Sequence, residues 1–245
     1  METGLKLGKN EDEEPVDESE FRKMVGCLRY LCCTRPDLSF SVGIVSRFMQ
    51  EPKQTHMNAV KRSMRYVQGT KNLGLLFPNK GCEGSVELKG YADADWCGDQ
   101  IDRKSTAGYI FFLCGSPVSW HSVKEPVVAL SSCEAEYISA SQAACQAAWL
   151  TMLLEELKVK MNSCPKLMVD NKSAIDLAKH PAAHGRSKHI ETRFHFLREQ
   201  VNQEKLEIVY CKSEVQLADI FTKALKGERF RYLRQSIGVV KPVLT

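Results

Sequence analysis

Residues 85–122, SVELKGYADADWCGDQIDRKSTAGYIFFLCGSPVSWHS, decide the fold of this chain. Three short runs lie in it, SVELKGYADA (85–94), TAGYIFFLCG (106–115) and SPVSWHS (116–122), and LGLLF (73–77) is a fourth just upstream. Runs of this kind, rich in β-formers and split by Gly, Pro, Asn and Lys, predict three or four antiparallel strands in a meander. From Ser132 to Lys158 the period changes: Leu150, Leu153, Leu154 and Leu157 recur at i, i+3, i+4 and i+7, which predicts a long helix. KLMVD (166–170) then reads as a short strand and NKSAIDLAKH (171–180) as a short helix stopped before Pro181. Residues 187–203 predict a helix with Ile190, Phe194, Leu197 and Val201 on one face, and LEIVYC (206–211) a further strand. Two helices, QLADIFTKAL (216–225) and ERFRYLRQSI (228–237), complete the pattern. A hairpin run followed by helix-separated strands argues for an α/β fold, a mixed five-stranded sheet with helices on both faces.

Upstream of the strands the chain is helical. Leu28 and Leu31 recur at helical spacing, Pro36 suits the first turn of a second helix, and THMNAVKRSMRYVQGT (55–70) places Val60, Met64 and Val67 on one side of a third. METGLKLGKNEDEEPVDES, charged and without apolar period, reads as a disordered acidic lead-in. The expected division is therefore a lead-in over 1–19, a helical segment over 20–70, a sheet-containing domain over 71–238 and a tail over 239–245.

At 245 residues and 43% apolar, the chain can bury a substantial core. No apolar run is long enough to span a bilayer, and the N-terminus lacks the basic-then-apolar pattern of a signal peptide, so a membrane partner is not expected. Ten cysteines are scattered, with no CxxC or CxxH pair, and predict buried free thiols in a reducing compartment: inside the cell, in cytoplasm or nucleus, and not secreted. The net charge of +4 conceals an asymmetry, because residues 1–20 hold eight acidic and two basic side chains. The rest carries 32 basic against 22 acidic residues, an excess that suits a polyanionic partner.

Four acids fall where strands end or helices begin: Asp93 in YADADW, Glu134 in LSSCEAEY, Asp170 in LMVDNKSA and Asp219 in QLADIFTKAL. Singly, each has an ordinary structural explanation, as a turn former, an acid near a helix N-terminus or a cap. Together they suit Mg²⁺, a hard cation that prefers a few carboxylate oxygens; two such ions roughly 4 Å apart can activate a water and stabilise the leaving oxygen of a phosphodiester. His184, His189 and His195 have zinc-like spacings, but no cysteine pair joins them and positions 189 and 195 do not share a helical face.

YADADWCGD (91–99), RKSTAGYIFFLCG (103–115), SWHSVKEPVVALSSCEAEYISAS (119–141), VDNKSAIDLAKHP (169–181), HGRSKHIETRFHFLRE (184–199) and QLADIFTKAL (216–225) resemble the ribonuclease H domain of copia-type retrotransposon Pol polyproteins. FRKMVGCLRYLCCTRPDLSFSVGIVSRFM (21–49) and HMNAVKRSMRYVQGT (56–70) resemble the end of the reverse transcriptase and its connection to that nuclease. The resemblance implies a ribonuclease H-like fold preceded by a small helical connection, and an endonuclease that cuts the RNA strand of an RNA/DNA hybrid with two Mg²⁺ or Mn²⁺ ions. It implies the reverse transcriptase portion of the same polyprotein as a partner. Its four acids fall on Asp93, Glu134, Asp170 and Asp219, as metal ligands and catalytic groups. Asp95 is the close alternative for the first; Glu136 is set aside because two residues along a helix turn a side chain away. Ser132 and Asn171 are candidates to read 2′-hydroxyls, and Arg103, Lys104, Arg186, Lys188 and Arg193 to hold phosphates.

The chain departs from the family in places. Related nucleases often carry a histidine shortly before the last aspartate, and YCKSEVQLAD (210–219) has none, which leaves water or His184 for the leaving group. No YxDD polymerase motif is present. A catalytically idle nucleic-acid-binding remnant is the alternative reading. A transposase or integrase core is a third, although its last acid is usually a helical glutamate where Asp219 stands here.

Overall fold

The computed structural model describes residues 1–5, 7–9, 12–78, 86–180 and 188–242, with 188–194 described by backbone alone. The chain runs α1 (Glu18–Leu31), α2 (Ser39–Val45), α3 (Gln54–Gly69), β1 (Gly74–Leu75), β2 (Leu88–Asp95), β3 (Thr106–Leu113), β4 (Ser116–Lys124), α4 (Ser132–Glu156), β5 (Lys166–Val169), α5 (Lys172–Lys179), α6 (Lys188–Asn202), β6 (Glu207–Tyr210), α7 (Asp219–Thr222), α8 (Gly227–Ser236) and β7 (Val239–Val240). Single 3₁₀ turns flank α2, and the first opens at Pro36.

The main sheet has the order β4-β3-β2-β5-β6. β2, β3 and β4 form the expected antiparallel meander, whereas β5 joins β2 and β6 joins β5 in parallel. β3 is buried on both faces, which explains its unbroken apolar run. Phe111 packs with Leu88, Ala92, Tyr137, Leu167 and the alanines of α4, and Ile110 and Phe112 pack with Ile220 and Phe221 of α7 and Leu233 of α8. α7 presses so closely on the sheet that a Cβ at Gly108 would stand 2.5 Å from the Cβ of Phe221. β1 pairs with β7 outside this sheet, so LGLLF contributes no strand to it and the expected tail begins inside a strand pair.

Two helical stripes differ from expectation. The inward face of α4 is Ala140, Ala143, Ala147, Leu150 and Leu154, small side chains that let the helix lie close on the sheet. Leu153, 39% exposed, sits about 100° round from Leu154, and Leu157, 64% exposed, is the residue after the helix end. In α3 the buried face is His56, Met57, Val60 and Ser63, leaving Met64 exposed.

The helical segment has its own core of Phe21, Val25, Leu28, Leu38, Val42, Val45 and Val60, to which Leu7 of the lead-in belongs. Pro15 bridges to Lys53, and Val16 N–H donates to Pro52 O at 3.3 Å. The described part of the lead-in therefore packs on the helices. The helices in turn pack on the sheet: Trp120 Nε1 on β4 donates to Cys32 O at 2.9 Å, and Arg47 donates to Asp99 Oδ2 and Thr106 Oγ1, both at 2.9 Å.

The cysteines differ too. Of the nine cysteines among the described residues eight are free thiols, yet of these only Cys211 is buried, and Cys114 is disulfide-bonded. Scatter along the sequence does not report on which side of a helix or strand a thiol lies. No helix among the described residues is long and apolar enough to cross a membrane.

Candidate metal centre

Asp93 lies near the end of β2 opposite Gly108, and is 1% exposed. β5 runs parallel to β2 with Tyr91 beside Met168, so two further steps along that register set Asp170 next to Asp93. α4 enters from the side. Trp96 Nε1 donates to Ala129 O at 3.0 Å, tying the segment before α4 to the end of β2, and Ser139 Oγ donates to Asp93 O at 2.7 Å. The helix thereby brings Glu136, 7% exposed, over the two aspartates. Ligand oxygens of Asp93, Glu136 and Asp170 all lie within 4.8 Å of one another.

Glu134 is not in this group. Its backbone N–H donates to Ser131 Oγ at 3.1 Å, and its Oε2 accepts from Leu130 N at 2.7 Å, so it closes the start of α4. The rotation that separates positions 134 and 136 is real, but it carries Glu134 away from the site. Ser131-x-x-Glu134 is a capping-box spacing, and that signal in the sequence marks Glu134 as occupied. Asp95, on β2 opposite Thr106, is likewise outside the cluster.

Asp219 opens α7 beside the cluster, and ion pairs hold both its oxygens. Lys223 Nζ stands 2.9 Å from Oδ1 and Arg229 Nη2 is 3.1 Å from Oδ2. Lys223 Nζ also reaches Asp93 Oδ2 at 3.3 Å, and Thr222 Oγ1 donates to the same oxygen. Gln216, fully buried, fixes this corner: its Nε2 donates to Ala92 O at 2.9 Å and its Oε1 accepts from Ala218 N at 3.1 Å. That anchoring shortens the predicted helix over 216–225 to Asp219–Thr222. Ser213 Oγ donates to Asp170 Oδ2 at 2.8 Å. Gln216, Thr222, Arg229 and Ser213 left no mark in the sequence; only the Asp219/Lys223 spacing of i, i+4 was there to be read.

The proposed substrate contacts fare unequally. Asn171 is the N-cap of α5, its Oδ1 accepting from Ala174 N at 3.0 Å. Ser132 is exposed at the start of α4, whose cap is Ser131. Arg103 is exposed and Lys104 half-buried in the β2–β3 connection, where Arg103 adopts φ +58°. Arg186 and His184 lie outside the described residues, as do the side chains of Lys188, His189 and Arg193; His195 is exposed.

Burial foremost pushes the Asp93 carboxyl up; Lys223 counters this, and Asp219 and Asp170 add to it. Burial, then Asp93 and Asp170, raise Glu136 to about 10. Lys223 would be lowered by burial, but Asp93 and Asp219 outweigh that and hold it above the usual lysine range. Crowded carboxylates of this kind call for a cation. Glu136 Oε2 is a buried oxygen with no hydrogen-bond partner, which fits a ligand position for a hard divalent ion.

Without metal, that crowding costs stability. A carboxyl whose folded pKa lies above its unfolded value contributes stability at low pH that is lost as pH rises, here from about 4.5 through about 10. In the presence of a chelator at pH 8, Glu136→Gln is expected to be more stable than the parent chain by on the order of 2 kcal/mol. The gap should close towards pH 4, as read by calorimetry at both values. Equal melting at pH 8 would contradict the crowding.

No family model matches the chain. The chain is 41% identical over 241 residues to a retrovirus-related Pol polyprotein from transposon RE2 of Arabidopsis thaliana, covering 98% of this chain and 16% of that protein. It spans 15–18% of the length of the three plant Pol polyproteins it matches at 38–41% identity. Two solved structures are similar at 12% identity. Ribonuclease H1 from the halophilic archaeon Halobacterium salinarum has a TM-score of 0.42 and covers 56% of this chain and 94% of that one. A foamy viral protease-reverse transcriptase in complex with RNA/DNA hybrid has a TM-score of 0.48 and covers 84% and 26%.

Proposed function

The chain belongs to the family of retrovirus-related Pol polyproteins from transposons, with a ribonuclease H-like fold, and we propose that it is their metal-dependent nuclease, hydrolysing the RNA strand of RNA/DNA hybrids. The convergence of Asp93, Glu136 and Asp170 oxygens within 4.8 Å carries this reading. These three acids would hold Mg²⁺ or Mn²⁺, two ions in the full assembly. Bound there, the ions would supply an activated water and neutralise charge at the leaving oxygen. The protein's own groups do the positioning: β2 and β5 present two aspartates side by side, α4 lowers Glu136 over them, and Lys223 and Arg229 hold Asp219 at the edge.

The basic excess outside the acidic first twenty residues supports a polyanionic substrate. Arg103 and Lys104 are the described candidates for phosphate contact, and hybrid affinity would fall with salt. The reverse transcriptase portion of the same polyprotein is the proposed partner, reached through the helical segment.

The test is cleavage of a labelled RNA/DNA hybrid in Mg²⁺ by the full chain and by Asp170→Asn. The reading expects RNA-strand products from the first and none from the second. Equal cleavage by both would overturn it. Hybrid binding with no cleavage by either would assign the chain as an idle binding remnant, and cutting of plain duplex DNA would favour a transposase-type core.

A further inference from the structure

We infer that Lys223 is a built-in counter-ion, whose ammonium group holds Asp93 and Asp219 together and competes with a divalent cation for them. The inference rests on the reading of the acidic cluster as a metal centre and adds how its occupancy is controlled.

Lys223 Nζ lies between two carboxylates contributed by different elements, 3.3 Å from Asp93 Oδ2 on β2 and 2.9 Å from Asp219 Oδ1 on α7. It takes up the position that a cation shared by these acids would need. The other Asp219 oxygen is held by Arg229, so Asp219 cannot turn to a new ligand without breaking an ion pair. With all four carboxyls ionised, as ligation of a metal requires, Asp93, Glu136, Asp170 and Asp219 set four negative charges against two positive ones, Lys223 and Arg229. The deficit of two charges matches one divalent ion, seated among Asp93, Glu136 and Asp170, where Glu136 offers its unpartnered oxygen.

A second ion on the Asp93/Asp219 side would stand against the ammonium at contact distance, in a largely buried setting where like charges repel strongly. Lys223 is suited to yield. Its side chain is 38% exposed, so it can swing into water, whereas Asp93 at 1% cannot follow. The site therefore takes its first divalent ion with Lys223 in place and its second only as Lys223 leaves. Lys223 acts on the ions through the carboxylates, and is a positioning residue.

Calorimetric titration of the full chain with Mn²⁺ tests this, with the parent, Lys223→Met, Lys223→Arg and Asp170→Asn compared. Lys223→Met is expected to bind Mn²⁺ at least tenfold more tightly on the Asp219 side, and to melt lower than the parent in chelator because Asp93 keeps its Thr222 hydrogen bond but loses its counter-charge. Lys223→Arg, which keeps the charge, is expected to track the parent. Should Lys223→Met fail to fold, Lys223→Gln carries the same expectation, since it retains a hydrogen-bond donor without the charge. Mn²⁺ uptake that Asp170→Asn abolishes but that loss of the Lys223 charge leaves unchanged or weakens overturns this inference alone. A parent chain that takes up no Mn²⁺ overturns the metal-centre reading and this inference with it.

Discussion

Glu136→Gln is expected to lower hybrid cleavage by about a thousandfold, corresponding to roughly 4 kcal/mol of lost transition-state stabilisation, while Glu134→Gln leaves turnover within a few fold. The contrast follows from what each carboxylate touches. Glu136 places a carboxylate oxygen within 4.8 Å of those of Asp93 and Asp170, and its replacement by a neutral amide removes a charged ligand without changing the side chain's size. Glu134 accepts a hydrogen bond from Leu130 N, and its own N–H is capped by Ser131. Glu134→Gln keeps an acceptor there and should cost about 1 kcal/mol of stability or less, in keeping with the loss of a helix cap. Single-turnover cleavage rates and melting temperatures measured on both variants distinguish the two roles. A large rate loss in Glu134→Gln with a normal Glu136→Gln would reverse the assignment.

Asp99→Asn should destabilise the chain by about 3 kcal/mol, because it leaves the half-buried Arg47 without its carboxylate partner and Lys124 with only one of its two. Asp99, 7% exposed, accepts from Arg47 of the helical segment at 2.9 Å and pairs with Lys124 of β4 at 2.8 Å; Lys124 also reaches Asp102 at 2.8 Å. These charges tie the end of α2 to the β2–β3 connection and β4, a few residues from Asp93. The Asp99 carboxyl feels burial first, which would raise its pKa, but its bonds to Lys124, Ile101 N–H and Arg47 prevail and hold it below the usual range. The Asp99 contribution is thus present above the unfolded carboxylate pKa and fades as pH falls through the lowered folded value. For a chain of this size the loss corresponds to a drop of about 6–12 °C in melting temperature at pH 7. A single melting transition shared by the helices and the sheet is also expected. Two separate transitions, or no change in Asp99→Asn, would mean that residues 20–70 and the sheet fold independently.

Much of the architecture was legible because local pattern carried it. The meander could be read from β-rich runs between turn formers, α5 from a short segment ending at Pro181, and β5 and β6 from their flanking helices. Patterns that depended on which side of an element meets a neighbour were read less well. The leucines near the end of α4 are as regular as those of a packed helix, yet the alanines before them lie in the core beside the sheet and only Leu150 and Leu154 of the leucines are buried. Likewise β1 has the composition of a sheet strand but finds its partner in Val239–Val240, residues far along the chain.

The site shows the same division. Sequence by itself determined that acids stand at the ends of β2 and β5 and at the start of α7, because strand and helix boundaries are written in turn formers and apolar period. Only the tertiary structure decided that Glu136 and not Glu134 completes the group, and that Asp219 is bound to Lys223 and Arg229. The reason is rotational. Helical period fixes that positions 134 and 136 face different ways, but which way is inward depends on how the Ser131 cap, the Trp96 bond to Ala129 O and the close alanine contacts set α4 on the sheet. A change of about 200° in facing direction is invisible to spacing and decisive for chemistry.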